Sequence, residues 1–288
     1  MFLHLSRRGR FIARIVLYGV VLLLAALPVC AQSTVSGPHV TVSLVSEFAS
    51  LHPGYSAWVG LHFQLEKRWH VYWINPGDSG EPPKVEWQLP PGFKAGDLQF
   101  PFPHRLPLQT LMNFGYEDDV LYMAQILVPA TNRQPIAKLT ANVRWMVCKD
   151  TCIPGKGTLG ISLPVAATAP QPSVRQALFK DTLARIPRKL DPGWRHDATL
   201  TGDTITLAIS FLMLPTPPPK TAEFFPLDDL VIENAAPQAL SVRPKAFELR
   251  LKKADQMSQP PARLRGIVVV NGQFAHIIDT PLRVTSAK

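Results

Sequence analysis

Cysteine is scarce in this chain, with 3 in 288 residues, and two of them, Cys148 and Cys152, stand four apart. So few exclude a disulfide-dense secreted scaffold, and no second cysteine pair is present to complete a zinc site. Charged residues are also few, 18% of positions against 46% hydrophobic, which excludes a disordered chain. Glycine, at 17 residues, is too sparse for a collagen-like repeat, and the 29 prolines run along the whole chain, which excludes a coiled coil. Past residue 31 no apolar run reaches the roughly eighteen residues that a membrane-spanning helix needs. A Gly-rich phosphate loop is missing, as is a carboxylate pair placed for acid–base work. The formal charge of +9 is partly local: Arg7, Arg8, Arg10 and Arg14 lie in a segment without acids, and beyond it 26 basic residues face 21 acidic ones. That scattered excess is no nucleic-acid footprint, and no nucleic-acid partner is expected.

Those four arginines open an export leader. Ile15 to Leu27 form its apolar stretch, and Val29-Cys30-Ala31 offers small residues for cleavage, predicting a signal peptide over 1–31 and a mature start at Gln32. A lipid anchor on Cys30 is disfavoured, because Val29 occupies the place where a lipobox takes Gly, Ala or Ser. The expected location is the periplasm. Export leaves Cys148 and Cys152 as the two cysteines of the mature chain, in a compartment where disulfides persist.

The body reads as β. Candidate strands are Val40–Phe48, Ser56–Leu65, Val71–Trp73, Lys84–Trp87, Leu121–Val128, Ala137–Cys148 and Thr158–Pro164, broken by punctuators such as Asn75-Pro76-Gly77 and Pro90-Pro91-Gly92. Such spacing without helical patterns predicts an antiparallel sandwich over 39–166. Residues 167–194 read as a linker with a short helix from an N-cap at Ser173 to about Ile186. A second, smaller β domain is expected over 195–288, with strand patterns at Ala198–Phe211, Leu240–Leu251, Ile267–Val270, Ala275–Ile278 and Leu282–Thr285. Leu214–Pro219 reads as a stiff extended loop. The fold class is all-β, two sandwich-like domains in tandem.

Cys148 ends one strand pattern and Cys152 precedes another, so the pair sits at the turn of a hairpin. Three chemistries compete for it. A structural staple closing so small a ring contributes about 2 kcal/mol, against about 4.7 for a hundred-residue loop. A metal site would need further ligands; Cu(I), which favours soft thiolates, asks for the fewest. A redox dithiol would use the same small ring as an accessible bond, with Arg144, Lys149 and Lys156 favouring a thiolate and Asp150 opposing it.

Two segments carry a resemblance. Trp69-His70-Val71-Tyr72-Trp73-Ile74-Asn75-Pro76-Gly77-Asp78-Ser79-Gly80 and Trp145-Met146-Val147-Cys148-Lys149-Asp150-Thr151-Cys152-Ile153-Pro154 are similar to the amino-terminal periplasmic domain of DsbD/ScsB-type thiol:disulfide interchange proteins. The likeness covers about residues 40–165 and continues more loosely through Gly266–Val270 and Ile277–Leu282. It implies an immunoglobulin-like sandwich whose cysteines pass reducing equivalents to a thioredoxin-fold disulfide isomerase or related periplasmic thiol protein, a chemistry tied to electron transfer and cytochrome c assembly. No cofactor and no metal are implied.

The resemblance further implies a cap loop at Asn113-Phe114-Gly115-Tyr116, with Phe114 over the sulfurs and Tyr116 helping to shape the site. Tyr72 matches a family tyrosine beside the cysteines, and His70 stands where some members carry another. Full members continue into a membrane domain and a thioredoxin-like domain; this sequence reaches Lys288 without either, so a separate membrane electron donor is expected and the enzymatic standing of this component is left open. Cys152, in the turn, is expected to meet the partner, and Cys148, closing a strand, to resolve the intermediate.

Other motifs read as structure. Gly77-Asp78-Ser79-Gly80 spells a serine-protease tetrapeptide, but Glu81 breaks the pattern and Asn75-Pro76 marks a surface turn. The dispersed histidines lack ligand spacing, the tryptophans fall in strand patterns, and Phe100-Pro101-Phe102-Pro103 reads as a rigid loop.

Overall fold

The computed structural model describes residues 33–212 and 217–286. The expected leader, Cys30 and Gln32 lie outside the described residues, as do residues 213–216 of the proline-rich stretch. The described chain is β nearly throughout, with one short helix, as the patterning predicts.

Two sheets form the first sandwich. One holds Thr34–Gly37, Val40–Ser46, Ser56–Leu65, Asp119–Leu127 and Lys94–Ala95 in that order. The other runs Cys152–Pro164, Ile136–Cys148, His70–Gly77, Leu111–Glu117, His104–Leu108, and Lys84–Gln88 also pairs with Ile136–Cys148. Period-2 patterning sets the faces. Val59, Leu61 and Phe63 of one sheet and Val71, Trp73, Val143 and Val147 of the other point into a shared core. On the outer face of the first sheet, Leu121 and Met123 pack with Phe179 of the helix Gln176–Arg185.

Ile136–Cys148 and Cys152–Pro164 pair without a slip from Ile136↔Pro164 to Cys148↔Cys152. The other edge of Ile136–Cys148 is shared: Lys84–Gln88 pairs at Thr140–Arg144, and His70 pairs at Cys148. The chain joining those two strands, residues 78–83, therefore has to pass beside the hairpin tip.

The structure differs from the sequence reading in three places. Residues 113–116 are not a loop but lie within the strand Leu111–Glu117, hairpinned to His104–Leu108. The turn Gln109-Thr110 lacks glycine, and Gln109 itself takes φ 55°; Pro107 is tolerated because its strand lies at a sheet edge. Ser173 is not the N-cap: its hydroxyl accepts from Arg175 N–H and donates to Ser46 C=O, so the helix starts at Gln176. Ala198–Phe211 and Leu240–Leu251 are each two strands, and Ala222–Pro226 is a strand the patterning passed over.

The second half is a seven-stranded arrangement that folds over on itself. Phe274–Thr285 pairs antiparallel with Arg263–Val270 along its first part and parallel with Trp194–Thr201 at its end. Phe224, Val268 and Ile278 then meet Ile205, Leu207 and Phe247 in a second core. The first core also takes in Phe225, Ile267, Val269 and Ala275 from this half, so the two halves share apolar packing.

Candidate functional site: the disulfide hairpin

A disulfide joins Cys148 and Cys152, the last facing pair of the long hairpin, whose Cα atoms are 4.1 Å apart. Lys149-Asp150-Thr151 make the turn, and Lys149 N–H donates to Thr151 C=O at 3.1 Å. The two sulfur-bearing residues differ in environment. Cys148 is paired on both sides and has no exposed surface, whereas Cys152 is exposed.

His70 and Tyr72 stand two apart on one strand and so share the cysteine face. The Tyr72 hydroxyl lies 3.7 Å from Cys152 Sγ and 3.2 Å from His70 Nε2. A disulfide sulfur carries no hydrogen, so the hydroxyl is the donor toward Cys152. With Nε2 protonated, His70 donates to the Tyr72 oxygen and leaves the hydroxyl hydrogen for sulfur. Burial pushes the His70 imidazole below its ordinary range and keeps it neutral at pH 7. Burial pushes the Tyr72 phenol up to about 12, against hydrogen bonding with Ser79, so it stays a donor.

A turn holds that tyrosine. Gly80 lies flat against the Tyr72 ring: a Cβ there would stand 2.1 Å from Cζ, and the residue takes φ +92°. Only glycine meets both demands. The turn is fixed by side chains: Gly77 N–H donates to Asn75 Oδ1, and Ser79 donates to buried Asn113 Oδ1 from N–H at 3.1 Å and from Oγ at 2.9 Å. On the hairpin, Gly155 admits the indole of Trp145, whose atoms a Cβ would meet at 2.3 Å. Beside the tip runs a groove of about 470 Å³ lined by Glu81, Pro82, Arg144, Met146, Pro154 and Lys156. Lys84 pairs with Glu81 and Arg144 with Glu86 along it.

The site thus unites Cys148, Cys152, Tyr72 and His70, and leaves out the two expected aromatics. Phe114 does not cover the sulfurs. It is fully buried in the first core and meets Phe225 edge to face. Tyr116 likewise points inward, its hydroxyl donating to Pro101 C=O at 2.5 Å. The cause is strand alternation: Gly115 pairs with Tyr72, so the residue on the cysteine face has no side chain, and its neighbours on both sides face the core. The residues whose part in the site reasoning from sequence missed are Asp78, Ser79 and Gly80, while Asn113 was placed in a cap loop rather than under Ser79. The signal of the first three was present in Asn75-Pro76-Gly77-Asp78-Ser79-Gly80, read as a surface turn.

Fold and site define a β-sandwich domain with a two-cysteine hairpin tip. Residues 41–164 match the family model described as thiol:disulfide interchange protein DsbD, N-terminal. That segment, a little under half of the chain, is similar to a domain of the DsbD amino-terminal type, as the resemblance implied. The crystal structure of the N-terminal periplasmic domain of ScsB from Proteus mirabilis superposes with a TM-score of 0.64 at 13% identity, covering 88% of this chain and 98% of that one. At that identity the likeness is one of fold, and it extends through the second half. A conserved domain protein from Bacillus anthracis aligns at a TM-score of 0.27 and 8% identity over 84% of this chain and 79% of its own, too low to argue from. No curated protein sequence matches the chain.

Proposed function

We propose that this protein is an exported, periplasmic thiol:disulfide interchange module that gives reducing equivalents to a thioredoxin-fold partner through Cys152, with Cys148 as the resolving cysteine. The observation that carries the reading is the asymmetry of the pair: one sulfur on a fully buried residue, the other on an exposed one within reach of a tyrosine hydroxyl. A staple needs no such asymmetry, and exchange does.

The reduced Cys152 thiolate attacks a partner disulfide, forming the mixed disulfide and expelling one partner thiolate. Cys148 thiolate then attacks Cys152 Sγ, the Cys148–Cys152 bond forms, and the second partner thiolate leaves. Two electrons pass to the partner, whose two sulfurs take up the protons that the cysteine pair gave up. Tyr72 supports the attacking sulfur by donating to it, which lowers the cost of a thiolate. The groove beside the tip supports docking of an extended partner segment against the hairpin. The pair is recharged by a membrane electron donor, and the proposed division is 39–166 for exchange, 167–194 for the linker and 195–288 for the second domain.

Two measurements test this. The pair's reduction potential lies well above the structural range, which falls below about −300 mV. Cys148→Ser accumulates a covalent complex through Cys152 with a thioredoxin-fold partner on a non-reducing gel, and Cys152→Ser traps little. A potential in the structural range together with no trapping by either variant makes the disulfide a staple.

A further inference from the structure

The turn that holds Tyr72 is tied to the second half of the chain. Asp78 Oδ2 accepts from Met112 N–H at 2.7 Å, while Oδ1 accepts from Asn234 Nδ2 at 2.8 Å. Asn234 is itself fixed, since Arg105 donates to its carbonyl at 2.5 Å and to the Ala236 carbonyl at 3.1 Å. A second tie runs from Asn75 Nδ2 to the Pro226 carbonyl at 3.0 Å, both in the seam between the halves. From Asp78 the path to sulfur is short: Ser79 is locked on Asn113, Gly80 lies on the Tyr72 ring, and the Tyr72 hydroxyl reaches Cys152 Sγ.

We propose that Asn234 is a positioning residue for the exchange site, acting through Asp78 to hold the 75–80 turn and so the Tyr72–Cys152 contact. The inference rests on the exchange reading above and gives the second half a role in it. Asn234 touches neither sulfur. Its side chain restrains the segment that restrains the tyrosine, and a mobile Tyr72 donates less effectively to a thiolate. Asp78 is exposed and Asn234 half-buried, so the link is worth a modest factor rather than an all-or-none loss.

The test uses the mature full chain carrying Cys148→Ser, so that Cys152 is its single thiol, and follows iodoacetamide alkylation across pH. Tyr72→Phe fixes the size of the tyrosine's effect. Asn234→Ala and Asp78→Ala should each slow alkylation at pH 7 two- to five-fold and move the profile to higher pH. Neither should add to Tyr72→Phe, because all act through one hydroxyl. A profile that superimposes on the parent, a faster rate, or an equal shift in the Tyr72→Phe background overturns the proposal. If Asn234→Ala fails to fold, the isosteric Asn234→Asp sets a like charge against Asp78 and must give the same shift; an unshifted profile then overturns it. No partner enters the measurement, so failed trapping would sink the exchange reading and leave this result standing.

Discussion

The ring of Phe114 meets that of Phe225 edge to face, with centroids 5.1 Å apart, across the seam between the first sandwich and the second half. Trp73 reaches the same Phe225 ring at 6.2 Å. All three side chains are buried. Phe114→Ala removes a fully buried ring from a packed core and is expected to cost about 3–5 kcal/mol. Urea unfolding of the oxidised protein checks this, and a loss below 1 kcal/mol would mean that the seam does not hold the halves together.

Gly80→Ala should act on both stability and chemistry. The added methyl collides with the Tyr72 ring, and φ +92° disfavours any side chain. The strain alone is of order 1–3 kcal/mol. As the turn lifts, reduction of the disulfide by dithiothreitol should change with it. Wild-type melting and wild-type reduction kinetics in this variant would show that the turn bears no load on Tyr72.

The two thiols should react unequally. After reduction, a short pulse of iodoacetamide followed by peptide mapping is expected to label Cys152 at least ten-fold faster than Cys148, since Cys148 has no exposed surface. Equal labelling would remove the structural ground for assigning the two roles.

Acid should destabilise the fold through its histidines. Burial pushes His70, His104, His196 and His276 below the usual imidazole range, and for His104 the Arg185 charge adds to the effect. The unfolded chain therefore binds more protons than the native one once pH falls through about 6.5. The contribution is fully present above that value and is lost on acidification toward the lower native values. Urea midpoints at pH 7.5 and 5.5 should differ, with the lower stability at 5.5. Equal midpoints would mean that the four imidazoles titrate normally.

What was legible in the sequence is what local chemistry sets. Ser56–Leu65 was read with its observed limits because one face alternates cleanly, through Val59, Leu61 and Phe63. The hairpin position of the cysteines followed from their flanking strands. Leu111–Glu117 escaped because Gln109-Thr110 carries no turn marker, and it was the resemblance, not a local pattern, that put Phe114 over the sulfurs. The Asp78–Asn234 bond joins residues far apart in the chain, and no local pattern announces such a pairing.

The shared first core sets the order of events when the chain folds. Phe225, Ile267, Val269 and Ala275 complete an interior whose other members come almost wholly from before residue 165. These are long-range contacts, and the loop-closure entropy they cost must be met before they stabilise anything. A newly made sandwich would therefore wait with Trp73 and Phe114 short of their Phe225 partner until the later strands arrive. Over that interval the hairpin cysteines can meet an oxidant before the Asn234 tie to their tyrosine has formed.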